Sequence, residues 1–215
     1  MRKAVKVLAC VALSACVGCA YASTGNNTGV TGLWEYPTAE MPNDGGGRFG
    51  HSHISPYSST FIDIVWLPWL EINTRLTTFS TIYIPDMYGK GEYYRRYMDK
   101  AIDLKAMLWH SRNPKYWYIP SIAFGVTDIM GTELMKAYYG VATWRWKDFA
   151  LTAGYGSDRL NGFFTGFEWD IADWLTFKAE YSPLDYSEDG ASGQKVLREE
   201  PSKKYNAGLV LKAPW

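Results

Sequence analysis

Leu175-Thr176-Phe177-Lys178-Ala179-Glu180-Tyr181 decides the fold. Leu175, Phe177, Ala179 and Tyr181 fall on one side of a period-two repeat, and Thr176, Lys178 and Glu180 on the other. Only a strand puts alternate residues on opposite faces, so this is a strand with one apolar and one charged face. The stretch before it repeats the pattern. Phe163, Thr165, Phe167 and Trp169 oppose Phe164, Gly166, Glu168 and Asp170. Further back, Leu70, Ile72 and Leu76 alternate with Glu71, Asn73 and Arg75, and Ile102, Leu104, Ala106 and Leu108 with Asp103, Lys105 and Met107. Tyr205, Ala207, Leu209, Leu211, Ala213 and Trp215 share a face at the end of the chain.

Extended along the chain, the pattern predicts ten strands, at about 47–54, 60–67, 69–84, 99–110, 118–126, 134–146, 149–156, 161–170, 173–182 and 204–213, and no helix between them. Leu67-Pro68, Lys147-Asp148 and Ile171-Ala172 read as tight turns, whereas Pro85–Met98 and Pro183–Lys203 read as long polar loops. Short and long connections alternating in parity are the habit of an antiparallel transmembrane barrel. Trp66, Trp69, Trp144, Trp146, Trp169 and Trp174 flank the tight turns, where an aromatic girdle at one membrane interface would lie. A soluble β-sandwich capped by aromatics is the alternative. The expected fold is therefore all-β, a barrel of about ten strands over 47–215.

Composition narrows the function classes. The 22 basic residues balance 22 acidic ones, which removes the basic surplus a nucleic-acid binder needs. The N-terminus reads as an export signal over 1–22: Arg2, Lys3 and Lys6, then an apolar Val7–Val17, then Ala20-Tyr21-Ala22 as the cleavage site. Leu13-Ser14-Ala15-Cys16 offers a second route, a lipoprotein signal over 1–15 with a lipidated Cys16. Cys10, Cys16 and Cys19 all lie in this stretch, so cleavage after Ala22 leaves a cysteine-free chain with 19 basic residues against 22 acidic. Residues 23–46 form an N-terminal extension before the first strand.

By parity, the lumen-facing charges are Asp63, Glu71, Arg75, Asp103, Lys105, Lys136, Glu168, Lys178, Glu180 and Lys212. Five are acidic and five basic. Such a balanced set reads first as a network of ion pairs filling a narrow lumen, and second as a polar path for a small solute. Tyr93, Tyr94, Arg95, Arg96 and Tyr97 form an aromatic-basic loop, the candidate glycan contact. His51, Ser52, His53 and Ser55 bring base and nucleophile types together, and His51 and His53 share a face. No Gly-x-Ser-x-Gly, His-Glu-x-x-His or third ligand at zinc-like spacing accompanies them, so no catalytic residue, metal or cofactor is assigned. Gly45-Gly46-Gly47 lacks the setting of a phosphate loop.

Gly29-Val30-Thr31-Gly32-Leu33 and Tyr36-Pro37-Thr38-Ala39 resemble the opening motif of the YjbH-type exopolysaccharide-associated outer-membrane proteins. The later motifs keep that family's order: Pro68-Trp69-Leu70-Glu71 with Arg75, Asp99-Lys100 with Asp103-Leu104-Lys105, Ala123–Ile129 with Gly131-Thr132, and Leu151–Gly156. The resemblance covers about residues 29–156. It implies an outer-membrane barrel, often a lipoprotein, encoded with machinery for extracellular polysaccharide. The aromatic Trp215 also resembles the ending that barrel insertion machinery reads. Family members are several times longer, and a barrel of about ten strands is filled by side chains rather than open to water. The expected role is non-enzymatic, in exopolysaccharide production or secretion. The expected partners are outer-membrane lipid, the insertion machinery, and exopolysaccharide or its export proteins. Two other expectations stand beside it: an outer-membrane enzyme acting on lipid or glycan through the His51–Ser55 neighbourhood, and a soluble periplasmic sandwich that binds carbohydrate.

Overall fold

A computed structural model describes residues 11–17, 24–54, 57–85, 91–110, 118–184 and 204–212, with backbone alone for 11–17, 81–85 and 91–94. They form one antiparallel sheet whose strands follow one another in chain order. The strands are β1 (Val11–Val17), β2 (Gly47–Ile54), β3 (Tyr57–Leu67), β4 (Leu70–Pro85), β5 (Gly91–Trp109) and β6 (Ser121–Gly131). They continue with β7 (Ala137–Trp146), β8 (Phe149–Gly156), β9 (Gly162–Ala172), β10 (Leu175–Tyr181) and β11 (Tyr205–Leu211). Among the described residues the only helical turn is a 3₁₀ turn at Asp158–Leu160.

The alternation that predicts the strands also sets their faces, and it does so inside out. Thr176, Lys178 and Glu180 on β10 are buried, as are Glu71, Asn73 and Arg75 on β4 and Asp103 and Lys105 on β5. Phe49, Ile62, Phe124, Leu151, Phe163, Leu209 and Leu211 face outward and are exposed. Tight turns close β3 onto β4 with Leu67 opposite Leu70, β7 onto β8 with Trp146 opposite Phe149, and β9 onto β10 with Ala172 opposite Leu175. All six tryptophans named above stand outward at this end, between 38% exposed at Trp144 and 67% at Trp66.

The concave face is filled by residues 24–46, the stretch read from sequence as an extension. It folds back on itself through bridges of Gly25 with Thr31 and Gly32 with Pro37. Val30, Leu33, Tyr36 and Ala39 are buried there. An apolar cluster around Tyr36, Tyr57, Phe79, Tyr139, Leu160 and Phe164 packs its upper part, and Met41 meets Val65 and Met107 near the tight turns. Gly29 has a φ of 108°, and a Cβ there would lie 2.5 Å from both the Asn73 side chain and the Phe61 ring, so only glycine fits this approach.

Two expectations change. The sheet is open: β1 and β11 are its edges, and the closed barrel is absent among the described residues. Val11–Val17, the later part of the Val7–Val17 run read as the apolar stretch of an export signal, forms β1 in the full chain, paired with β2 from Val11 opposite His53 to Val17 opposite Gly47. A bare strand edge pairs with any extended apolar segment in reach, and this one precedes β2 with residues 18–46 between them. The loop expected at Pro85–Met98 is mostly strand, because the β4–β5 hairpin runs on to Pro85 opposite Gly91. The Arg95-Arg96-Tyr97 stretch therefore lies on β5, in unbroken register with β4 from Tyr97 opposite Phe79 to Arg95 opposite Thr81, although Arg96 has a φ of 56°. Ser55, Cys10, Cys19, most of the Pro183–Lys203 loop and Trp215 lie outside the described residues, and the side chains of Cys16, Tyr93 and Tyr94 likewise.

Candidate functional site: a charged concave face around an inner segment

Register turns inward-facing charges into pairs. Arg48 on β2 is directly opposite Asp63 on β3, Glu71 on β4 opposite Lys105 on β5, and Glu168 on β9 opposite Lys178 on β10. Directly opposed residues bring their side chains within reach, and each of these couples is an ion pair. Lys105 Nζ lies 2.5 Å from Glu71 Oε2, and Lys178 Nζ lies 2.8 Å from Glu168 Oε1. Arg48 pairs with Asp63 and reaches on to Glu71 Oε1 at 2.8 Å. Arg75 Nε donates to Asp103 Oδ2 at 3.0 Å, and Asp103 also accepts from the Asn73 amide at 2.8 Å.

A second network sits at the tight-turn end. Arg145 pairs with Glu40, with Glu168 at 3.1 Å and with Asp170 at 3.0 Å. Lys212 joins it through Asp170 at 3.0 Å, where it is partly exposed. Lys136 stands apart, because β7 starts one residue later, at Ala137. It lies on the β6–β7 connection, paired with Glu133 at 2.8 Å, and the hydrogen bond to that carboxylate raises its pKa.

The same charges also hold the inner segment by its backbone. Lys105 Nζ donates to the carbonyls of Glu40 (2.7 Å), Thr31 (3.2 Å) and Thr38 (3.3 Å). Lys178 donates to the carbonyls of Gly32 and Leu33. Glu180 accepts from the Trp34 and Glu35 amides, each at 3.0 Å, and Glu71 from the Thr31 amide at 2.6 Å. Asn73 donates to the Thr28 carbonyl at 2.9 Å, Ser52 to the Asn27 carbonyl at 2.5 Å, and the Ala39 amide donates to Thr143 at 2.9 Å. Buried peptide groups need such partners, and here the wall supplies them rather than water.

Tyr36 anchors the far end. Its ring stacks on Phe164 with centroids 4.3 Å apart, and its hydroxyl donates to the Leu160 carbonyl at 3.1 Å. Burial pushes that hydroxyl's pKa well up, so it stays protonated. Beside it a cavity of about 30 Å³, lined in part by Asn26, Glu35, Arg75, Tyr139 and Arg159, has room for about two waters.

Other predicted residues are not brought together. His51 and His53 point outward and Ser52 inward, so no histidine on β2 reaches the Ser52 hydroxyl; His51 Nδ1 instead meets Thr60 at 2.9 Å. Among the described residues no group of three or more His, Cys, Asp or Glu side chains is placed to hold a metal ion. Arg95 and Arg96 are exposed, while Tyr97 packs on Phe79 with centroids 6.5 Å apart. Arg48 and Arg145 are central to the network and absent from the parity list. Arg48 shares a face with Gly50 and Ser52, and Arg145 with Thr143, so strict alternation through both strands would have found them.

Comparison with known proteins places this architecture. The family described as "Exopolysaccharide biosynthesis protein YbjH" matches residues 24–162, from the inner segment to the start of β9. The chain is 33% identical over 224 aligned positions to the uncharacterized lipoprotein YjbH of Escherichia coli strain K12, an alignment covering all of this chain and 30% of that protein. It thus spans less than a third of that relative's length. No solved structure matches it.

Proposed function

The chain belongs to the YjbH family of exopolysaccharide biosynthesis proteins, and from that premise we propose that it is a plugged outer-membrane β-barrel serving polysaccharide production or secretion without catalysing a reaction. Membership gives the polysaccharide context, and the relative's name as a lipoprotein supports a place in the cell envelope and the Cys16 route of processing. The membrane part rests on one observation, the inverted sheet. Carboxylates and ammonium groups sit inside at 1–4% exposure, at Glu71, Lys105, Lys178 and Glu180, while Leu151, Phe163 and Leu209 stand outside at 53–58%. A water-soluble protein rarely carries a contiguous apolar surface beyond a few hundred Å². Lipid chains make the same surface favourable, and tryptophans crowded at the turn end suit a membrane interface.

The inner segment supports a plug rather than an open channel. It occupies the concavity and engages β2, β4, β5, β7 and β10 through the bonds given above. The role is then that of a scaffold or docking partner for the export machinery, with the exposed Arg95 and Arg96 available to anionic glycan. The opposite facings of His51, His53 and Ser52 support a non-enzymatic role. Outer-membrane lipid and the barrel insertion machinery are the partners this reading requires.

Gel migration of the protein from a fractionated outer membrane, boiled and unboiled, tests it. The expected result is a faster unboiled band. A protein recovered in buffer without detergent, with one band under both conditions, overturns it. Ile62→Arg gives an independent check, since Ile62 faces outward on β3 four residues along the strand from the girdle residue Trp66. On a lipid-facing strand it is expected to cost about 2–4 kcal/mol near mid-membrane. On a water-facing surface it changes stability by no more than about 0.5 kcal/mol. Denaturant titration in detergent-free vesicles separates the two.

A further inference from the structure

The open sheet has a free edge on β11 among the described residues, and β2 is shielded by β1 alone. We propose that β2 and β11 pair in the processed protein and close the ten strands β2–β11, and that Val11–Val17 fills the β2 side of this seam in the unprocessed chain. This deepens the barrel reading and rests on it.

Strand direction is the first argument. Successive strands in this sheet are antiparallel, so β2 and β11, nine steps apart, run in opposite directions, whereas β1 and β11 run the same way. Closure through β1 would therefore need a parallel pair in an otherwise antiparallel sheet. Closure through β2 gives an even-numbered antiparallel ring, the form taken by single-chain bacterial barrels. The lengths also suit each other, eight residues in β2 and seven in β11.

The inner segment shows that the two edges face a common space. Ser52 on β2 donates to the Asn27 carbonyl at 2.5 Å, and the Asn27 amide donates to the Trp34 carbonyl at 2.7 Å. The Trp34 ring lies against Gly208 on β11, where a Cβ would come within 2.7 Å of it. Ser52, Asn27, Trp34 and Gly208 thus bridge from one edge strand to the other across the inside of the gap. Burial agrees. Inward residues of β10 are buried, but Asn206, Gly208 and Val210, the inward residues of β11, are only half-buried, as expected of a strand lacking its outer neighbour.

Either processing route frees the β2 edge. Cleavage after Ala22 removes β1 entirely, and cleavage before Cys16 leaves only two of its residues. The bridge sets Ser52 level with Gly208, which places outward His51 opposite Leu209, or opposite Ala207 or Leu211 after a two-residue slip.

Cysteine pairs test the seam. In chains carrying Cys19→Ser and expressed with normal processing, His51→Cys is combined in turn with Ala207→Cys, Leu209→Cys or Leu211→Cys, and membranes are oxidised. Neighbouring antiparallel strands hold Cα atoms about 4.5–5.5 Å apart, within disulfide reach. One of the three pairs is expected to shift the band on a non-reducing gel. A heat-modifiable membrane protein in which none cross-links overturns the seam and leaves the barrel reading standing; a protein that is not heat-modifiable overturns both. The full 1–215 chain, with Cys10, Cys16 and Cys19 all replaced by Ser and folded into detergent micelles, tests the occupancy. There Leu13→Cys is expected to link to His51→Cys, its partner in register, and the seam pair to lose most of its yield. A seam link as strong as in the processed protein, or no Leu13–His51 link, overturns the displacement by β1.

Discussion

Replacing Lys105 with alanine is expected to cost about 3–5 kcal/mol, the usual penalty for removing one partner of a buried ion pair. Lys105 is fully enclosed, and its loss strips Glu71 of one of its two cations and leaves the Thr31, Thr38 and Glu40 carbonyls without that donor. The measurement is the urea concentration at which the unboiled band loses its fast mobility. The double variant Glu71→Gln with Lys105→Met is expected to recover a large part of the loss, because it removes the charge that the single change strands. Lys136→Ala is the contrast: its pair with Glu133 lies in solvent, and no measurable change is expected. Equal losses at Lys105 and Lys136 would mean that the inward-facing pairs are as hydrated as surface ones.

Glu180→Ala is expected to release the tip of the inner segment. Its carboxylate takes the amides of both Trp34 and Glu35, and each buried N–H left without an acceptor costs about 1–3 kcal/mol. At about 1.4 kcal/mol per tenfold, hydrogen exchange at those two amides is expected to quicken by roughly ten- to a hundredfold. The cross-strand amides of β4 and β5 serve as the unchanged reference. Glu180→Gln keeps one acceptor and is expected to fall between. Exchange at Trp34 and Glu35 that matches the parent protein would mean that the segment is held by Tyr36 and the apolar cluster instead.

The wall of this site is legible in the sequence because alternation is a property of single strands. Glu168, Lys178 and Glu180 are placed inward by their own neighbours, and the cross-strand pairing then joins Glu168 to Lys178. The occupant is not legible. Lys105 binds carbonyl oxygens, which every residue carries, so nothing in Thr31, Thr38 or Glu40 announces the contact. Asn26-Asn27-Thr28-Gly29 has the composition of an ordinary turn and reads as an extension, yet Asn26 and Asn27 are both buried. Tyr93–Tyr97 has no period at all, so its place on β5 rather than in a loop follows only from pairing with β4. Val11–Val17 shows the remaining ambiguity: an apolar run of seven residues has the same pattern in a signal and in a strand.

The bonds from Trp34 and Glu35 to Glu180 span 146 and 145 residues of chain, whereas the hairpins between them close over short turns. Contacts so distant in sequence form slowly, since the chain loses its loop entropy before gaining anything from them. The neighbouring strands can zip together one hairpin at a time, but the inner segment precedes β10 by more than a hundred residues and has no β10 to bind until the strands between them have been made. Until then its buried surface is open to other partners. The completion of β10 is therefore what fixes in place a segment made well before it.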